Sequence, residues 1–141
     1  MSEKNIAIIR RFYEAVFITG TMNPAAIDQY LTADFVGHDL PAGLDGREGY
    51  KKFVSMLAAS FSEMSHLEVC DMIDNGDRVA VRWSSAGRHT GEFMGIPATG
   101  RQVTVKGIDI FRLAGDKIAD LWQEIDIMGI LEQISAPTLR E

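Results

Sequence analysis

The spacing of apolar residues changes once along the chain, from a helical period to strict alternation, near His66. Upstream, Ile6, Ile9, Tyr13, Val16 and Phe17, with Phe12 beside them, recur at helical spacing among Lys4, Arg10, Arg11 and Glu14. They predict a first helix that stops at Gly20. Asn23 as N-cap and Pro24 at the first helical position open a short second helix carrying Ile27, Tyr30 and Leu31. Asp34 to Asp39 reads as a short strand, followed by a loop with Pro41, Gly43 and Gly46. A third helix begins near Arg47 and turns Tyr50, Phe53, Val54, Leu57 and Phe61 to one face.

Downstream, Leu67, Val69 and Asp71 alternate with Glu68 and Cys70, and Asn75-Gly76-Asp77 signals a hairpin. Val79, Val81 and Trp83 alternate in the next strand, which continues through Gly87 and His89 to an apolar loop, Phe93 to Pro97. The strands Val103 to Leu113 and Lys117 to Asp126 flank a second hairpin signal, Ala114-Gly115-Asp116. Residues 4–63 are therefore expected to be mainly helical and 66–126 mainly strand. The layout is α+β, with the helices covering one face of a largely antiparallel sheet. The 141 residues suit a single domain, and no repeat or linker interrupts them.

Charge and composition narrow the partners. Twenty acidic residues against fourteen basic ones leave a net charge of −6, without the positive field that phosphate backbones require, so nucleic acid is not an expected partner. No apolar run reaches the ~20 residues of a membrane helix, and the N-terminus lacks a signal-peptide core. The lone cysteine, Cys70, excludes an internal disulfide and fits a cytoplasmic setting. Three scattered histidines do not form a standard zinc pattern, so no metal is expected.

Against this background Asp109 stands out. On its strand, one parity reads Val103, Val105, Gly107, Asp109, Phe111, which sets a lone carboxylate among apolar side chains. Desolvation there would raise its pKa toward the range useful for proton transfer, unless it pairs with a cation such as Arg82. Gln123, across the hairpin, shares the face of Asp109 if the Ala114 to Asp116 loop has an odd residue count, and it could orient a carbonyl or a water. His38 and Asp39 are adjacent and point to opposite faces, so only one can enter a pocket. His38 shares parity with Val36 and is either a buried acid or base or a hydrogen-bonded core residue. Tyr13, Phe53, Trp83, Met94, Phe111 and Trp122 could line an apolar cavity or simply fill the core. His89, just before the Phe93 to Pro97 loop, joins this set because that loop should fold over a cavity mouth or a neighbouring subunit.

The run His89-Thr-Gly-Glu-Phe-Met-Gly-Ile-Pro-Ala-Thr-Gly-Arg101, with Gly107-Ile-Asp-Ile-Phe-Arg112, Gly115-Asp-Lys-Ile118, Arg10-Arg-Phe-Tyr-Glu14 and the Asp34 to Asp39 strand, resembles the SnoaL-like polyketide cyclases, or ester cyclases, of the nuclear transport factor 2-like superfamily. The likeness spans residues near 4 to 134. It implies a cone of curved mixed sheet around a deep apolar pocket, plugged by the N-terminal helices and dimeric through the sheet. It also implies an intramolecular aldol closure of an apolar, polyketide-like carbonyl compound, without metal or cofactor. In that family a carboxylate on the last long strand acts as acid and base, assisted by a histidine on the preceding strand. Here Gln123 matches the carboxylate and Asp109 the histidine, so the mechanism does not transfer intact. The leading expectation is then a cofactor-independent cyclase, lyase or isomerase acting on an apolar carbonyl compound, with Asp109 as the base and Gln123 or His38 polarising the carbonyl. The competing expectation is a binding or dimerisation module of the same fold without chemistry.

Overall fold

A computed structural model describes residues 2–17, 22–65 and 67–135, so Gly20 and His66 lie outside the described residues. Helix α1 (Ser2–Val16) is followed by a 3-10 turn (Pro24–Gln29), strand β1 (Leu31–Gly37) and helix α2 (Gly46–Ser60). Strands β2 (Phe61–Ser62), β3 (Glu68–Asp74), β4 (Arg78–His89), β5 (Gln102–Ala114) and β6 (Lys117–Ile125) precede helix α3 (Ile127–Ser135). The sheet order is β1-β6-β5-β4-β2, with β3 also on β4. β1 runs parallel to β6 and every other pair is antiparallel, which makes the sheet mixed.

The amphipathic stripe of α1 explains its place. Ile9, Phe12, Tyr13 and Val16 are all at most 4% exposed and form one cluster with Tyr50 and Val54 of α2 and Val79, Val81, Trp83, Phe111 and Leu121 of the sheet. Both helices therefore fill the concave face of a curled sheet, as the hydrophobic period predicts. A second cluster, Phe61, Met64, Phe93, Val103, Ile130 and Ile134, seats α3 at one end.

Several boundaries differ from the sequence reading. The second helix is a 3-10 turn, and Leu31 already belongs to β1, because β1 is drawn early into pairing with Ile118 of β6. Phe61 leaves the third helix to start β2 opposite His89. Helix α3 was not expected; its nine residues are too short for periodicity to separate them from the strand before.

Two bulges decide which side chains face inward. Between β5 and β6, Ala114 pairs Lys117 and Leu113 pairs Ile118, but Arg112 pairs Asp120, so Ala119 is an extra residue on β6. The hairpin loop is a two-residue turn, Gly115-Asp116, so the odd count that would put Gln123 on the face of Asp109 is not met by the loop; the bulge supplies the one-residue shift that sets Gln123, rather than Trp122, opposite Asp109. Between β3 and β4 the extra residue is Cys70: Val69 pairs Trp83 but Asp71 pairs Arg82. Asp71 consequently points outward instead of continuing the face of Val69, and it binds Arg82 at 2.6 Å.

Candidate active site

β5 carries Asp109 into the interior, where it is 2% exposed. Among the described residues no cation pairs with it: Arg82, its candidate partner, is exposed and bound to Asp71. Neutral donors take that role. The Tyr13 hydroxyl donates to Oδ2 at 2.8 Å, and Gln123 Nε2 donates to Oδ1 at 2.9 Å. Burial pushes the Asp109 pKa up from 3.8 to about 6, against the opposing pull of the Gln123 amide, the Tyr13 hydroxyl and the Trp83 indole N–H. Tyr13 stays a phenol because burial and the adjacent carboxylate both raise its own pKa. Backbone supports fix this arrangement. Gln123 is held from behind by Asp39, whose Oδ2 accepts the Gln123 backbone N–H at 2.9 Å.

Asp109 and Gln123 end on a cavity of about 700 Å³ of empty space, mouth included, walled by Tyr50, Phe53, Leu57, Trp83, Val105 and Ile125 among others. Its lining contains no Lys, Arg or His among the described residues. The position of Trp83 depends on Gly107, directly opposite it on β5. A Cβ at Gly107 would lie 2.6 Å from Trp83 Cζ2 and 2.6 Å from the Glu124 carbonyl oxygen, so only glycine lets the indole lie across this strand. Among the described residues no group of three or more His, Cys, Asp or Glu side chains could hold a metal ion.

Of the residues expected at the site, Asp109, Gln123, Trp83 and Phe53 meet at the cavity, and Tyr13 joins through its hydroxyl. Others lie elsewhere. His38 is on the outer face, stacked on Trp122 at 4.4 Å with its Nε2 2.9 Å from Asp120. Although partial burial opposes it, hydrogen bonds from His38 and Arg112 hold the Asp120 carboxyl below its ordinary range. The error came from treating Val36 as an inward guide: Val36 is 44% exposed, and Phe35 is the buried residue of β1. Trp122 has the opposite parity to Gln123 and sits under the Arg78 guanidinium at 4.5 Å. Phe111 is fully buried, packed edge-on to Phe12 and Tyr13, and does not reach the cavity.

His89 is also fully buried but packs on Phe61 and bonds Thr99 through Nδ1 at 3.0 Å, away from the cavity wall. Met94 is 65% exposed at the tip of the apolar loop. With Gly95 it forms the positive-φ turn that returns the chain from Phe93 to Ile96. Only Phe93 of that turn is buried, in the second cluster. Tyr50 was missed as a wall residue, since its helical spacing equally describes plain core. The role of Asp39 is a backbone contact that no side-chain pattern announces.

Known proteins fit this arrangement. The family model of the SnoaL-like polyketide cyclases matches residues 7–134. The aklanonic acid methyl ester cyclase DnrD of Streptomyces peucetius is 33% identical over 135 residues, covering 94% of this chain and 91% of the relative. The nogalonic acid methyl ester cyclase of Streptomyces nogalater is 28% identical over 116 residues, 79% of this chain and 84% of its own. Among solved structures, TsrD from Streptomyces laurentii superposes with a TM-score of 0.81 at 28% identity, covering 96% of this chain and 97% of that one.

The raised pKa of Asp109 links it to stability with a definite sign. The fold favours the neutral carboxyl, so this contribution is complete below the ordinary pKa of 3.8 and is lost as pH rises through about 6. Asp109→Asn removes the penalty. Denaturant unfolding of both proteins should show the variant gaining about 3 kcal/mol relative to the wild type between pH 3 and pH 8. A stability difference that does not change with pH would contradict the assignment.

Proposed function

Because this chain belongs to the SnoaL-like polyketide cyclase family, we propose that it closes a ring in a small, apolar, polyketide-like carbonyl compound by intramolecular aldol addition, with Asp109 as the acid and base. The observation that carries the proposal is a buried carboxylate with a pKa of about 6, bounded by neutral donors and facing an apolar cavity. Such a group is mostly ionised at pH 7 yet basic enough to take a proton from a carbon beside a carbonyl. The enolate carbon then adds to a second carbonyl of the same molecule, and the resulting alkoxide receives the proton back from Asp109. Atoms balance without an added reactant.

Gln123 occupies the position where the family resemblance sets a carboxylate, but an amide has no useful basicity. Its part is to hold Oδ1 of Asp109 and to present its second N–H to the cavity side. The two roles are exchanged between neighbouring strands: the base stands on β5 and its orienting partner on β6, directly opposite each other. The lack of a cation among the described residues of the cavity lining favours a substrate without a free carboxylate, and both of these relatives are named for methyl esters. An anion there would be desolvated without compensation.

Pairing of two copies through the outer sheet face, as one domain per chain, belongs to the same reading. Ile73, Ala80, Ile110 and Trp122 are register neighbours across four strands, and Ile73 and Ile108 are 69% and 49% exposed. An apolar row of this kind across the outside of a sheet favours a covering partner. The unpaired, exposed Cys70 fits a reducing cytoplasm, and among the described residues no helix is long and apolar enough to cross a membrane.

Asp109→Asn keeps shape and hydrogen bonding, since Gln123 can rotate its amide to accept from the new side chain. With an aryl polyketide methyl ester as substrate, turnover should fall ~10²–10⁴-fold while binding changes little. The wild-type rate should rise with pH through a midpoint near 6 and level off about one unit higher. A variant with wild-type turnover would remove Asp109 from the chemistry and leave a binding module. Sedimentation equilibrium at micromolar concentration should give a dimer, and charging the face with Ile108→Asp should yield a folded monomer. A monomeric wild type would refute the pairing.

A further inference from the structure

Trp83 carries a polar atom that its surroundings do not satisfy. The side chain is 6% exposed, and Nε1 is buried with no hydrogen-bond partner among the described residues. Buried indole N–H groups usually find an acceptor. Several other polar groups of the lining are already engaged: both Asp109 oxygens accept bonds, from Tyr13 and Gln123, and Ser65 and Ser85 bond one another and the β4 backbone. Trp83 is also held where it is. Gly107 opposite leaves room for the indole to lie across β5, and a side chain there would collide with it.

Trp83 and Asp109 line the same cavity. The indole N–H lies near enough to Asp109 to favour the charged carboxylate, yet not in hydrogen-bonding position with it. An acceptor that bonded this N–H would therefore sit beside Asp109, within the cavity that both residues line.

We propose that Trp83 Nε1–H is the hydrogen-bond donor for the carbonyl oxygen of the bound substrate, holding that oxygen beside Asp109 so that the adjacent carbon faces the base. The assignment rests on the carbonyl-compound reading above and adds the missing half of its chemistry. When Asp109 removes the proton, negative charge moves to the carbonyl oxygen, and a fixed donor in an apolar enclosure stabilises that charge more than it stabilises the neutral ketone. The same step neutralises Asp109, so the N–H loses its attraction to the carboxylate as the oxygen gains charge. A tryptophan suits this position because its donor cannot ionise and has no acceptor capacity.

The test needs no turnover. The chain has two tryptophans, Trp83 and Trp122, so only two indole N–H signals appear in a nitrogen-15 NMR spectrum. Titration with 2-acetylnaphthalene, a neutral aryl ketone, should move the Trp83 signal downfield, whereas 2-isopropylnaphthalene, of similar shape without an acceptor, should not. Trp83→Phe should weaken ketone binding roughly tenfold and leave hydrocarbon binding nearly unchanged. Should that variant fail to fold, the wild-type titration alone decides. A ketone that fails to bind, or one that shifts the signal no more than the hydrocarbon does, overturns the proposal. Equal weakening of both ligands in the variant would assign Trp83 to packing and overturn it as well. Wild-type turnover in Asp109→Asn would instead remove the catalytic reading, whatever the titration shows.

Discussion

The burial of one carboxylate without a counter-ion is the constraint around which this protein is organised. Asp109 is 2% exposed and has only neutral donors, a phenol from α1 and an amide from β6. A lone carboxylate in an apolar interior would take up a proton, and one paired with an arginine would be locked as an anion. Two neutral hydrogen bonds place it between these limits, with a pKa of about 6. Each donor depends on a different part of the fold. Tyr13 is in place because the apolar stripe of α1 docks on the concave face, and Gln123 because β6 carries an extra residue at Ala119.

The arrangement costs stability. A leucine at position 109 would complete the apolar face of β5, whereas the aspartate demands a phenol, an amide and the backbone anchor from Asp39 to remain inside. Proteins keep such groups where chemistry or recognition needs them. Trp83 Nε1, on a residue lining the same cavity, is a second buried polar group there, without a partner among the described residues.

The sequence makes the main elements legible because their hydrophobic period is long and unbroken: the stripe from Ile6 to Phe17 and the alternation from Val103 to Phe111 each allow one placement. Asp109 is legible for the same reason, since strict parity along β5 leaves a carboxylate on an apolar face. Bulges are not legible. Ala119 and Cys70 each shift a strand by one residue, and nothing in their side chains announces it. Gln123 reaches the site through one such bulge, and Asp71 is turned outward by the other. His38, Trp122, Phe111, His89 and Met94 were drawn toward the pocket by residue type, but type does not fix depth. The apolar loop illustrates this, for it buries Phe93 and leaves Met94 in water. The family resemblance conveys the curled sheet and, through the Gln123 mismatch, directs attention to the carboxylate on β5.

The central claim is that Asp109 titrates far above an ordinary aspartate. Carbon-13 NMR of protein labelled at aspartate side-chain carboxyls, with the Asp109 signal assigned by its loss in Asp109→Asn, follows this group directly through a pH titration. A midpoint near 6 is predicted. A midpoint at or below 4 would mean that water or a cation reaches the carboxylate, and the account of a buried base held by neutral donors would be wrong.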